Sequence, residues 1–305
     1  MRTLVRDLSL ALREAVLPSL GLHGARAHDA AAVAADGDIT FAIDSQAEAT
    51  LAKFLSERAP DVAFYSEDRG LVAPAGASTV LVVDPIDGTR PALAGLESCC
   101  VSVAAAPLRD GVTMGEVCVG CVVEIPSGRV FLAERGAGVL ESPPVLLSSN
   151  DRVDRMFWAY GFRGRPARAL TEVLAELLDS SSVGGGTFDL GSAAFDMTRV
   201  ATGQLDAYVE PGPRMIADVP GMREEFERVG GGAVLNNSPY DLAAATLILE
   251  EAGAVVTDAY GAGLGARKLL GSGEEFQMSV VASANEPLHD RILTALDGGI
   301  RRLSG

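Results

Sequence analysis

Two carboxylates three positions apart, Asp84 and Asp87, lie in the segment Asp84-Pro85-Ile86-Asp87-Gly88-Thr89, directly after an apolar, β-branched run at 79–83. That run reads as a buried strand that stops at Asp84-Pro85. Proline stiffens the turn, so both carboxylates and the Ile86 carbonyl between them can converge on hard cations. Magnesium takes oxygen ligands in octahedral geometry and keeps some waters. Gly88 allows close approach of a phosphate to the backbone, and the Thr89 hydroxyl can orient a water. Asp-Pro and Asp-Gly are also ordinary turn dipeptides, so this segment alone leaves a plain turn open. Three further acidic segments accompany it. Tyr65-Ser66-Glu67-Asp68 follows a short apolar strand, and Asp38 and Asp44 precede Glu48 on a helical pattern. Tyr240-Asp241 opens a helix that runs to Glu250-Glu251-Ala252-Gly253. Singly, these read as solvated loop acids, a helix cap at Asp44 and an N-terminal helix charge at Asp241.

In this order the four segments resemble the inositol monophosphatase family, in the superfamily that includes fructose-1,6-bisphosphatases and bisphosphate nucleotidases. The resemblance runs from about residue 36 to 260. It implies a magnesium-dependent phosphomonoesterase with a water nucleophile, an αβαβα sandwich and a homodimer. Carried over residue by residue, Glu67, Asp84 and the Ile86 carbonyl match ligands of a first metal. Asp84, Asp87 and Asp241 match those of a second. Asp44 and Thr89 match the pair that helps activate the attacking water. Glu67 counts with these catalytic residues, and a third, looser magnesium lies near it in the family. Asp87, Gly88 and Thr89 fall on the phosphate. Ser192, Ala193 and Glu210 fall on segments that contact the leaving group, with Glu210 at the place of a carboxylate on the inositol hydroxyls. The implied chemistry is an acidified water, neutralised phosphate oxygens and a stabilised alkoxide, with positioning and electrostatics as the protein's main share.

Two departures bear on the substrate. After Asp-Gly-Thr the family continues with asparagine or lysine and an aromatic, whereas this chain reads Arg90-Pro91-Ala92. Residues 211–240 separate Glu210 from Asp241, where inositol monophosphatases have only a handful. The inserted stretch, at about 212–239, reads either as a tolerated surface loop or as a lid or a wall that reshapes the sugar pocket. A small sugar or inositol phosphate is the first substrate class implied. Fructose-1,6-bisphosphate and a bisphosphate nucleotide follow. Haloacid-dehalogenase-type phosphatases also carry an Asp-x-Asp-Gly-Thr motif, but their covalent nucleophile needs carboxylates two apart. A relative repurposed for binding would show itself by loss of a metal ligand, and none is lost.

The elements that must hold these residues alternate between strand and helix, giving a mixed α/β (α+β) fold in two fused halves, 1–145 and 146–305. Helices are expected at 2–24, 41–58, 167–178, 192–202, 240–252 and 286–297. Strands are expected at 62–65, 99–106, 115–125, 129–133, 156–160, 206–209, 255–257 and 278–282. Gly253 is expected to end its helix in the left-handed conformation. A net charge of −16 argues against nucleic-acid and anionic-membrane partners, and a metal cluster would reverse the field locally for a phosphate. The chain has no run of eighteen apolar residues, and 1–20 is amphipathic, unlike a signal peptide, so a cytoplasmic location is expected. The cysteine pairs Cys99-Cys100 and Cys118/Cys121 are expected to be packed, reduced thiols, because residues three apart on a flat strand face opposite ways. His23, His28 and His289 have no ligand spacing and are expected at the surface.

Overall fold

The computed structural model describes residues 1–22, 28–33 and 39–304, with the side chains of 28–33 and 39–40 left aside. Asp36-Gly37-Asp38, His23 and the side chain of His28 therefore lie outside the described residues. In chain order the elements are α1 (Arg2–Val16), β1 (His28–Val33), β2 (Ile39–Phe41), α2 (Ala42–Arg58), β3 (Ala63–Ser66), β4 (Gly70–Val72), β5 (Thr79–Asp87) and α3 (Thr89–Ala94). There follow β6 (Cys100–Pro107), β7 (Val119–Glu124), β8 (Val130–Glu134), β9 (Gly138–Glu141), β10 (Phe157–Tyr160), α4 (Ala167–Gly184), β11 (Gly186–Phe188) and α5 (Ala193–Ala201). The chain closes with β12 (Ala207–Glu210), α6 (Gly212–Asp218), α7 (Met222–Val229), α8 (Pro239–Ala252), β13 (Val255–Thr257), β14 (Val280–Ser283) and α9 (Glu286–Ser304).

Two mixed sheets, ordered β4-β3-β5-β6-β7-β8-β9 and β11-β10-β12-β14-β13, are separated and flanked by helices. Helices α1 and α2 cover one face of the larger sheet. Helices α5 and α8 fill the space between the sheets, and α4 and α9 cover the outer face of the smaller one. The result is the αβαβα layering expected. Strand β5 shows why its run lacks polar alternation: Val80 and Val82 face the inter-sheet core, while Leu81 and Val83 face the core under α1 and α2. A strand buried on both faces reads as continuous hydrophobe. Helix α8 is likewise buried almost all round, from Leu242 to Leu249. Gly253, at φ +86°, ends it in the left-handed cap expected from sequence. No helix among the described residues is long and apolar enough to cross a membrane.

Several expectations need correction. The first helix ends at Val16, shortly before Pro18, which has no amide hydrogen to continue the ladder. Helices α4 and α9 run on to Gly184 and Ser304. The short strands β4, β9 and β11 carried too little pattern to be seen. His289 is 3% exposed, its ring nitrogens each 2.8 Å from a hydroxyl, those of Ser283 and Thr257. Cys99, Cys100 and Cys121 are buried, and burial pushes the Cys99 and Cys121 thiols up to about 12. Cys118 is exposed, just outside β7. The insertion is not a loose surface loop. It forms α6 and α7 and sends Met215, Val219, Met222, Phe226 and Val234 into the core that holds Trp158 and Leu288.

Helix α8 sits close to the large sheet because Gly120 has no side chain. A Cβ at Gly120 would lie 2.8 Å from the Ala244 carbonyl oxygen. Because α8 carries Asp241, this contact also sets the height of that carboxylate. Gly120→Val should destabilise the chain by roughly 1–3 kcal/mol through overpacking, read as a lower Tm. An unchanged Tm would show that α8 is free to retreat.

Candidate active site

Asp84 and Asp87 come together because β5 does not stop at Asp84-Pro85, as the sequence suggested, but bulges through it. Asp84 pairs with Ser102 and Asp87 with Cys100, so three steps on β5 oppose two on β6. In a flat strand residues three apart face opposite sides; the extra residue of a bulge turns them to one side. Pro85 suits the bulge because it has no ladder hydrogen to lose. The Ile86 amide, freed from the ladder, donates to Asp84 Oδ1 at 2.9 Å. The contrast with Cys118 and Cys121 is direct, since that pair has the same spacing and no bulge.

Asp241 reaches the same place from the first turn of α8. Single carboxylate oxygens of Asp84, Asp87 and Asp241 all lie within 4.8 Å of one another. Asp241 also caps its helix, since its Oδ2 accepts the Ser238 amide at 2.5 Å. Its place in the first turn meets the expected N-terminal helix charge. Asp44 does the same for α2: its Oδ2 accepts the Phe41 amide at 2.8 Å, and its Oδ1 lies 3.3 Å from the Thr89 hydroxyl. That hydroxyl is also 3.2 Å from the Ile86 carbonyl oxygen, so one proton has two acceptors. Glu67 lines the pocket with the three aspartates. Gly88 is held at φ +90°, and a Cβ there would sit 2.7 Å from the Ser98 carbonyl oxygen. Its glycine is required by packing whatever it does for a ligand.

The residues expected at the leaving group are placed unevenly. Ser192 and Ala193 line the pocket at the start of α5. The Ser192 hydroxyl and the Ala194 amide donate to Asp87 Oδ2 at 2.8 and 2.6 Å, so Ser192 positions a carboxylate. Glu210 is fully buried behind the pocket wall, ion-paired to the buried Arg165 and accepting the Gly212 amide at 2.6 Å. Sequence reasoning missed Arg163, Arg165, Asp189 and Asp196, which line the pocket, and Leu235, Asn236 and Asn237 from the end of the insertion. Asp196 lies one helical turn after Ser192, a spacing that could have exposed it. The arginines follow β10 in a turn that carries no comparable signal.

Burial holds the Asp84 carboxyl well above the usual range, and the charges of Asp87, Glu67 and Asp241 push the same way. Burial raises Asp87 to about 6, against the downward pull of the Ala194 amide, the Ser192 hydroxyl, the Ala193 amide and Arg163. Such a cluster is sustained by protons or by a cation. Its donors are carboxylate and carbonyl oxygens, which suit hard divalent ions, so the residues fit a metal.

The sign of the pH dependence follows. Between pH 3.8 and about 6 the folded, metal-free chain keeps a proton on Asp87 that the unfolded chain releases. Stability therefore falls as pH rises through that window, by on the order of 3 kcal/mol for Asp87. In chelator, the Tm of Asp87→Asn minus that of the parent chain should grow from pH 4 to pH 7. This difference cancels the opposite trend of His289, whose pKa burial lowers. A constant difference would contradict the buried-charge picture.

The family model described as "Inositol monophosphatase family" matches residues 21–300. The chain is 29% identical over 274 residues to the fructose-1,6-bisphosphatase/inositol-1-monophosphatase of Methanothermobacter thermautotrophicus, covering 86% of this chain and 85% of that one. It is 29% identical over 225 residues to the Nus factor SuhB of Xylella fastidiosa, covering 72% of this chain and 69% of that one. Among solved structures, the extragenic suppressor protein suhB of Bartonella henselae superposes with a TM-score of 0.73 at 22% identity, over 97% of this chain and 98% of that one. The layered sheets match a known fold and the family model spans most of the sequence: this chain belongs to the inositol monophosphatase family.

Proposed function

We propose that the chain is a magnesium-dependent phosphomonoesterase that hydrolyses a small sugar or inositol phosphate with water as nucleophile. The observation that carries this reading is the convergence of Asp84, Asp87 and Asp241 within 4.8 Å, in a pocket shared with Glu67. Glu67, Asp84 and the Ile86 carbonyl would hold one ion, and Asp84, Asp87 and Asp241 a second. Bound there, such ions supply Lewis acidity to phosphoryl oxygens and lower the pKa of a water.

The chain's own residues do the positioning. The Phe41 amide fixes Asp44, and Asp44 can take the proton of Thr89 as a hydrogen-bond acceptor. The Thr89 oxygen is then left to accept from a water and hold its orientation. Ser192 and the Ala194 amide hold Asp87, so its free oxygen keeps one direction. A net charge of −16 supports a small-molecule substrate over a nucleic acid.

A second reading, fructose-1,6-bisphosphate, draws support from Arg165. Its buried guanidinium lines the pocket where Glu210, which it neutralises, was expected to meet hydroxyls. Phosphate release should be measured with Mg²⁺ on inositol and sugar monophosphates, fructose-1,6-bisphosphate and a bisphosphate nucleotide. Activity should require the metal, and Asp87→Asn should lower kcat/KM by about 100-fold or more, since a lost ligand removes several kcal/mol of charge stabilisation. Metal-independent turnover, or a phosphoenzyme trapped on Asp84, would defeat the proposal.

A further inference from the structure

Behind the wall that the insertion builds for the active-site pocket lies a second cavity of about 370 Å³, within the range of small-molecule sites. One side is helix α6, through Pro213, Arg214, Ile216 and Ala217, and the other is the segment that leads into β14, through Gln277, Met278 and Ser279. Asn236 lines both this cavity and the active-site pocket.

Two buried amides mark the cavity. Asn236 is 8% exposed and Gln277 3%. Neither polar atom of the Asn236 side chain has a hydrogen-bond partner, and Gln277 Oε1 has none. Buried polar atoms left unpaired are costly and rare in folded chains, so three on two residues lining one cavity call for an occupant. The frame around them is set. Gln277 is oriented by donating to the Val234 carbonyl at 2.7 Å. Arg214 is tied to Asp218, Asp297 and the Ala259 carbonyl, with its guanidinium 4.7 Å from the Tyr260 ring centre. Gly212 makes room for the Asn236 amide, since a Cβ there would lie 2.2 Å from Asn236 Oδ1.

The unpaired set is two acceptors and one donor group, which selects a ligand able to give and accept hydrogen bonds at once. Asp258, Glu274 and Glu275 line the same cavity and disfavour an anion. The guanidinium groups of Arg214 and Arg267 are already engaged, the latter with the Gln277 carbonyl. Ile216, Ala217 and Met278 offer apolar surface for C–H faces. We infer that this cavity is a binding site for a neutral polyhydroxyl compound, a sugar or cyclitol, distinct from the phosphate-handling site. Asn236 is the shared wall through which its occupant reaches the active-site pocket.

The test is calorimetric titration of myo-inositol and of D-glucose into the full chain held in chelator. Parent, Gln277→Leu, Ile216→Trp and Asp87→Asn should be compared, with Tm recorded to show that each is folded. Saturable binding of either compound is expected in the parent and in Asp87→Asn. It should weaken at least tenfold in Gln277→Leu, which removes an acceptor, and in Ile216→Trp, which fills the space. Where the Tm shows Ile216→Trp unfolded, Gln277→Leu decides. Absence of saturable binding in the parent, the result of a cavity holding ordered water only, overturns the inference. So does binding that survives both cavity variants or is lost in Asp87→Asn.

Discussion

The one-residue bulge in β5 opposite Ser102 and Cys100 is the constraint on which the site depends. Without it, Asp84 and Asp87 would face opposite sides of a sheet that is buried on both. One carboxylate would then enter the core under α1 and α2, where Ile86 now sits. With it, the apolar side chain goes to the core and both carboxylates go to the pocket. Proline at the second position and a left-handed glycine at the fifth make the backbone path tolerable. The Ile86 amide released from regular pairing then holds Asp84, and the Thr89 hydroxyl that follows meets Asp44.

Charge is the second constraint. Asp84 and Asp87 are 3% and 7% exposed, and like charges at this spacing repel strongly in a poorly solvated site. The chain brings Asp241 to them on a helix packed between two sheets, so the cluster cannot relax by swinging one acid away. A rigid, pre-assembled oxygen cage of this kind disfavours the empty, fully ionised state and favours a cation. On the far side of the pocket the inserted helices are anchored through buried Phe226 and Met215.

The acidic cluster of Asp84, Asp87 and Asp241 was largely legible from sequence, because strand ends and helix starts bear recognisable local chemistry. Ser-Pro before Tyr240-Asp241 and Gly after Ala252 each have one dominant structural meaning. The bulge was not legible, since Pro85 marks equally well a strand's end and a break in its pairing. The strand expected at 206–209 stopped one residue short of Glu210, which closes β12, and its partner Arg165 lies in a turn with no periodicity. The insertion misled for a compositional reason: its glycines and charges suggested a loop, although Met215, Val219, Met222 and Phe226 carry a helical spacing, shared between two short helices that break at 219–221. His289 looked solitary in sequence because its partners, Thr257 and Ser283, come from two neighbouring strands.

Anomalous diffraction from crystals soaked in Mn²⁺ tests the cation cage most directly. The expected result is density within about 2.2 Å of carboxylate oxygens of Asp84, Asp87 and Asp241, with a second peak at Glu67 and the Ile86 carbonyl. A cluster that stays empty at saturating Mn²⁺, with its aspartates still converged, would contradict a metal-holding site.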